Sequence, residues 1–489
     1  MTRTVAKWLV RFALFIPCFV LVLLLLLGGL LFTQAGLNLA MWGAQKALPQ
    51  LTVDEAEGAI LTGITLHQVN FSDPDLFIEL HAKKVQLELD AECLVEPRVC
   101  IDNLALESLS FALTGTAPTQ EEPTPSEPIT EITLPVPISI NHVQLNDIAL
   151  YVLGTEIKWK SFSTAATMEG RVLTLHPTKW DSIDITLAPT DANASTEKAS
   201  TDKNADIELP EVLIPLDVVV EGFDIHNFAL HGESPVKVNH LGLKAKASDH
   251  LVSIEKLVLD MPEVRADAST EIELKGDYSL PKLTLNAKLN QTELKGQTLA
   301  LKADGSVAKL NLNADFGGVI KAHLEGNLKP LQAVLPFDLS LSQGEVQWPL
   351  TGKYDYRSDI ESIDIKGNLD AYQISLALKA QGKDIPDLDL DTSASGTLES
   401  IDVHSLVLNT LGGRVSGQVE ADWSKLVKWN TTLGLDSIQP GLQWPEAEGN
   451  ISGSITTNGS LTESGGWKVG VPLLAIQGLI RDYPLYING

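Results

Sequence analysis

The sequence predicts a mainly β protein, in which an N-terminal transmembrane helix is followed by a long, repetitive antiparallel β-sheet with one continuous apolar face. Three observations lead there. An uncharged apolar run fills residues 12–32, apolar and polar residues alternate with period two over most of the remaining chain, and short sequence units recur along it. Composition agrees: 44% hydrophobic residues exclude wholesale disorder, and four Met with 6% aromatics leave Leu, Val, Ile and Ala to form whatever is buried. At 489 residues the chain is too long for one compact core. Only 36 Lys and Arg face 63 Asp and Glu, a formal charge of -27. Nucleic acid is thereby excluded as a partner, because binding phosphates requires cationic side chains that displace counterions.

The run from Phe12 to Phe32 is 21 residues long. As a helix it rises about 32 Å, against a hydrocarbon thickness of ~30 Å. Arg3, Lys7 and Arg11 precede it, and no acidic residue occurs before Asp54. The positive-inside rule then puts residues 1–11 in the cytoplasm and everything after the span on the other side of the membrane. A cleaved secretory signal ending near Thr33-Gln34-Ala35 is the competing reading, but such signals use roughly 7 to 15 apolar residues, so the length favours an uncleaved anchor. Residues 35–48 continue as a short amphipathic helix that Pro49 stops.

Of the three cysteines, Cys18 lies inside the apolar span, while Cys93 and Cys100 bracket a short polar loop containing Pro97. Outside the cytoplasm these two are expected to form a disulfide, two isolated buried thiols being the alternative. A metal site is disfavoured, since no further Cys follows and the nearest His, His81, lacks zinc-like spacing.

Strands dominate after the anchor. The clearest stretch reads Ile363-Asp364-Ile365-Lys366-Gly367-Asn368-Leu369, then Ile374-Ser375-Leu376-Ala377-Leu378-Lys379, then Asp387-Leu388-Asp389-Leu390-Asp391. One face is apolar and the other charged. Two stretches break the pattern: 117–131, rich in Pro and Glu, and 190–206, which has no large apolar side chain. The expected organisation is therefore a cytoplasmic segment 1–11, an anchor 12–32, a first β segment 33–116 with the disulfide, a linker 117–131, a β segment 132–189, a polar insertion 190–206 and a repetitive β segment 207–489.

Repetition is internal. Ile101-Asp102-Asn103-Leu104-Ala105-Leu106 is echoed by Leu145-Asn146-Asp147-Ile148-Ala149-Leu150 and by Ile225-His226-Asn227-Phe228-Ala229-Leu230. Residues 254–274 align without a gap to 403–423, matching Arg265 with Arg414 and Glu271 with Glu420. One strand-turn-strand unit is being reused.

Catalytic signatures are missing: there is no G-x-S-x-G elbow, no phosphate-cradling loop, no dinucleotide fingerprint and no H-E-x-x-H. His226, His231, His240 and His250 form the densest histidine group, but their spacings along strands do not converge on one face, so no metal site is expected. Asp387, Asp389 and Asp391 alternate with Leu388 and Leu390, as on a solvated outer face. No catalytic residue and no cofactor is expected.

An unbroken apolar face has two fates. Packed against a second sheet it makes a passive periplasmic stalk or adhesin-like solenoid. Left open and curled, it makes a trough in which lipid tails replace the second sheet, lined by Leu283, Leu285, Leu310, Leu312, Leu339, Leu341, Ile363, Ile365, Leu376, Leu378, Leu388 and Leu390.

Several segments carry a family likeness. The basic-flanked anchor from Trp8, the stretch 53–71 with Glu57-Gly58 and Leu66-His67-Gln68-Val69, and Cys93 and Cys100 with the hexamer after them resemble the TamB family of the AsmA-like group. So do Leu411-Gly412-Gly413-Arg414-Val415-Ser416-Gly417, Trp423, Trp429 and Pro440. The resemblance implies an inner-membrane, single-pass protein with its bulk in the periplasm and a non-enzymatic role in envelope biogenesis. It favours the sheet curled into an apolar trough over the packed stalk, and implies lipid passage, assistance to outer-membrane protein and autotransporter assembly, or both, with a TamA-like outer-membrane β-barrel partner. Family members are usually longer, so this chain is expected to correspond to their N-terminal portion.

Overall fold

The computed structural model describes residues 28–90, 93, 97–115, 130–188, 206–232, 234–291, 293–462 and 465–489. Most of the expected anchor, with Arg3, Lys7, Arg11 and Phe12, lies outside them. Residues 28–31 are helical and Phe32 follows, half exposed. Among the described residues no helix is long and apolar enough to cross a membrane.

Helix α1 (Gln34–Ala47) follows directly, capped by Thr33, whose hydroxyl accepts from the Gly36 N–H at 3.3 Å. It ends where Leu48 leaves helical geometry, one residue before Pro49. Leu37 is buried, and the Gln34 side-chain amide donates to the Ala56 carbonyl while accepting from the Gly58 N–H at 2.6 Å. The helix is thus tied to the first strand.

Twenty-seven strands come next among the described residues, in two compact units. The first unit comprises Met1–Glu197 with Leu213–Met261, and the second Lys198–Val212 with Pro262–Gly489.

In the first unit, β1 (Leu51–Ala59), β2 (Gly63–Asp73), β3 (Ile78–Leu89) and β4 (Val99–Leu113) form an antiparallel meander. Then the direction rule breaks. Strand β5 (Leu134–Val152) pairs parallel to β4, and β6 (Thr155–Gly170) antiparallel to β5. Three short pieces, β7 (Val172–Leu175), β8 (Thr178–Asp181) and β9 (Asp184–Thr186), pair antiparallel to β6 and parallel to β10 (Ile214–His231). Strands β11 (Val236–Asp249) and β12 (Leu251–Asp260) complete the unit antiparallel.

The wholly antiparallel sheet read from the sequence is thus corrected to a mixed one. The reason is physical: parallel neighbours need a crossover long enough to bring the chain back to the starting end, and a hairpin cannot supply it. The linker 117–131 and the polar insertion 190–206 fall in the sequence between β4 and β5 and between β9 and β10. Returning along β4 covers about 46 Å, which the 20 residues between Leu113 and Leu134 can span.

The long strands of this unit share a bend. Gln68, Ser108, Asp147 and Asn227 lie in mid-strand with positive φ of 51°, 53°, 53° and 56°. Gln68 falls between the pairs His67–Lys84 and Val69–Ala82, Ser108 between Lys84–Glu107 and Ala82–Leu109, and Asp147 between Glu107–Asn146 and Leu109–Ile148. These left-handed steps therefore form a transverse line across β2 to β5. Alternation shifts by one at each, so Leu66 and Val69, Leu106 and Leu109, Leu145 and Ile148, and Ile225 and Phe228 stay on one face although three residues separate them.

The second unit is simpler. From β13 (Val264–Glu273) to β27 (Tyr483–Asn488), successive strands pair antiparallel, the connection between β24 and β25 carrying two short 3-10 turns. Residues 206–212 run along its strand ends: the Ile207 N–H donates to Leu331 O at 2.8 Å, and the Tyr278 hydroxyl donates to Pro210 O at 2.6 Å.

Candidate functional site

Register decides which side chains share a face, because directly opposed residues of an antiparallel pair point the same way. In the second unit Leu283 and Leu285 oppose Ala303 and Leu301, and Leu310 and Leu312 oppose Leu328 and Gly326. Leu339 and Leu341 oppose Ile365 and Ile363, and Ile363 in turn opposes Leu376. Leu378 opposes Leu390, and Leu388 opposes Ala380. Intermediate pairs such as Ala303 with Leu312, Gly326 with Leu339 and Leu324 with Leu341 link these into one surface. All twelve residues named from the sequence lie on it, and the ladder continues through Leu390 with Leu408, Leu408 with Val415 and Val415 with Leu435.

Every one of the twelve is half-buried; none is sealed off. Leucines in a face-to-face sandwich are buried nearly completely, so partial exposure marks a face without a second layer. At one end of these strands lies a cavity of about 850 Å³ lined both by Gly396, Ile401 and Ala421 of this row and by Lys366, Asp402 and Glu420 of the polar row beside it. Tyr372 and Trp429 flank it, each ring lying over a glycine of the next strand, Gly396 and Gly459. That volume is within the range that holds a small molecule.

The opposite face is ionic. Lys366 Nζ lies 2.8 Å from Asp338, its direct cross-strand partner, and Lys321 lies 3.0 Å from Glu345. Hydrogen bonding to Asp338 raises the Lys366 pKa, and hydrogen bonding to Glu361 does the same for Lys379. Asp387, Asp389 and Asp391 are exposed here. Such pairs keep the outer surface soluble while adding little stability each.

The first unit carries its own apolar face, which the sequence reading did not assign. Leu66, Leu106, Leu145, Phe162, Ile225 and Leu241 belong to one cross-strand row. Trp180 sits in that row between Phe162 and Ile225, and both Trp159 and Phe162 meet it edge-on, with centroids 5.4 and 5.5 Å away. The hexamer repeat was the available signal for this face, since it marks two of the strands where alternation shifts at Asp147 and Asn227.

Cys93 and Cys100 are joined, S–S 2.06 Å and Cα–Cα 5.9 Å, across the turn between β3 and β4. The histidines need a correction. His226 and His240 do converge, because the register of β10 and β11 sets them directly opposite one another, with Asp224 beside them on the outer face. Spacing along the chain conceals a meeting made between strands.

Comparison with known proteins finds both a matching family and matching relatives. The family described as "TamB, N-terminal domain" matches residues 23–489. The translocation and assembly module subunit TamB of Haemophilus influenzae is 23% identical over 504 residues, an alignment covering 96% of this chain and 38% of that relative. The chain therefore spans well under half of that relative's length. No solved structure matches.

Proposed function

Because the chain belongs to the TamB family over residues 23–489, we propose that it is an inner-membrane-anchored, periplasmic component of envelope biogenesis whose apolar face carries the acyl chains of phospholipid. The observation that carries this reading is the row of half-buried Leu and Ile from Leu283 to Leu390, continuous by register and open to an apolar occupant. A phospholipid with about 30 tail methylenes would expose surface costing roughly 24 kcal/mol in bulk water. A trough that covers its tails removes most of that barrier. The anchor is supported by Leu39 and Trp42 of α1, 59% and 61% exposed, which suit the interface just outside a membrane span.

The family resemblance, with the words "translocation and assembly module subunit" in the name of the Haemophilus influenzae relative, favours a companion role in outer-membrane protein assembly, autotransporters included, with a TamA-like barrel partner. A packed stalk is disfavoured by the same partial burial. No enzymatic chemistry enters either role.

Photo-crosslinking separates the readings. A photoreactive side chain at Leu376 or Leu388 captures phospholipid in cells, and one at Lys379 or Asp389 does not. Equal labelling on both faces would sink the trough.

A further inference from the structure

Asp224 and His226 stand two residues apart on β10 and so share its outer face, and His240 of β11 is the direct cross-strand partner of His226. The two imidazoles stack with centroids 4.6 Å apart and 13° between planes. His240 Nε2 lies 2.9 Å from Asp224 Oδ1. One ligand atom from each of the three side chains lies within 4.8 Å of the others. Gly242, opposite Asp224, permits this approach, since a Cβ there would stand 3.2 Å from Asp224 Oδ1 and 3.3 Å from the His240 ring. The register flanks the histidine pair with two more carboxylates, Asp181 beside His226 and Asp260 beside His240, while Lys179 stands opposite Asp224.

We infer that Asp224, His226 and His240 form a binding site for a divalent transition-metal ion of the Zn²⁺ and Cu²⁺ class. Two neutral imidazoles and one carboxylate are the donor set that such borderline ions prefer over Mg²⁺ or Ca²⁺. Metal–nitrogen bonds of ~2.0 Å require the ring nitrogens to close to roughly 3.3 Å. The stacked rings hold their in-plane lone pairs nearly parallel, so binding turns the exposed His226 ring out of the stack to aim its nitrogen at the ion. The ion replaces the proton that His240 and Asp224 share. It also clamps β10 to β11 beside the left-handed step at Asn227, and a ligand held only by the folded strands stabilises them. The site is on the polar face, separate from the proposed lipid-bearing surface.

The test uses the full chain in detergent, without a polyhistidine tag, titrated with Zn²⁺ against a chromophoric chelator at neutral pH. One site is expected. His226→Ala and His240→Ala weaken it at least about tenfold, while His231→Ala, whose ring bonds Asp184 at 3.0 Å, leaves it unchanged. With Cu²⁺ in place of Zn²⁺, electron paramagnetic resonance shows two nitrogen ligands, reduced to one in either alanine variant. Metal-free melting curves of the variants coincide with the parent's, so lost binding is not lost folding. Binding by the His226→Ala/His240→Ala double variant as tight as the parent's, or equal weakening by His231→Ala, overturns the site.

Discussion

Tyr372 lies across Gly396: a Cβ built on that glycine would stand 2.7 Å from the Tyr372 hydroxyl oxygen and 2.9 Å from the Ser400 carbonyl oxygen. The ring can cover the neighbouring strand only because that position has no side chain, and its placement forms one wall of the 850 Å³ cavity.

Gly396→Val therefore pushes Tyr372 aside and fills the cavity floor. Stability is expected to fall by about 1–3 kcal/mol, read as a lower urea midpoint with an unchanged slope. Phospholipid captured by a photoreactive residue at Leu376 should fall where Gly396→Ser loses less.

Leu376→Asp places a carboxylate in the middle of the apolar row. On an open, half-buried face the cost is about 1–2 kcal/mol and the chain stays folded, whereas in a dry core the segment unfolds. Circular dichroism should retain the β spectrum, while lipid co-purifying with the protein drops. A folded variant with full lipid load would contradict the assignment of that face.

Glu255 sits between Lys244 and Lys246, whose Nζ atoms each lie 2.8 Å away. Hydrogen bonds from the two ammonium groups lower its pKa from 4.5 to about 2. The folded value lies below the unfolded one, so the contribution is present above a pH of about 4.5 and lost as pH falls towards 2. A carboxyl carbon-13 titration should place the Glu255 midpoint near 2 and, in Lys244→Ala/Lys246→Ala, back near the ordinary carboxylate range. Because these groups are exposed, added salt weakens the effect.

The Cys93–Cys100 bond closes a short loop with a sequence separation of 7. The chain-entropy model gives about 2.5 kcal/mol for such a closure. Non-reducing peptide mapping of protein from cells should recover the bridged peptide, and Cys93→Ser/Cys100→Ser should lower the urea midpoint of the first unit. Free thiols at both positions would argue against a periplasmic location, as would an inactive periplasm-dependent reporter fused after residue 60.

Where strands run without a left-handed step, as around Ile363, Leu376 and Leu390, period-two alternation read from the sequence coincides with the face that register defines. It fails in the first unit, because Gln68, Ser108, Asp147 and Asn227 each shift parity and a three-residue spacing such as Leu145 to Ile148 no longer looks like a strand. The parallel join of β4 and β5 was hidden for another reason: pairing direction is set by where a linker returns, and composition carries only its length. The meeting of His226 with His240 is likewise a property of register, invisible until the strands are aligned.

The two crossovers also set the order in which the chain can assemble. A hairpin strand docks as soon as it is free to fold, since its partner is the segment just before it. Strand β5 must wait until the residues after Leu113 have emerged and looped back, and β10 waits again beyond Thr186. Each wait carries a closure entropy that rises only logarithmically with linker length, yet the finished β4 edge lies bare meanwhile. The second unit, built of consecutive hairpins, has no such pause. During folding the vulnerable interval therefore belongs to the first unit, and a chaperone would find its longest-lived target at the exposed edge of β4.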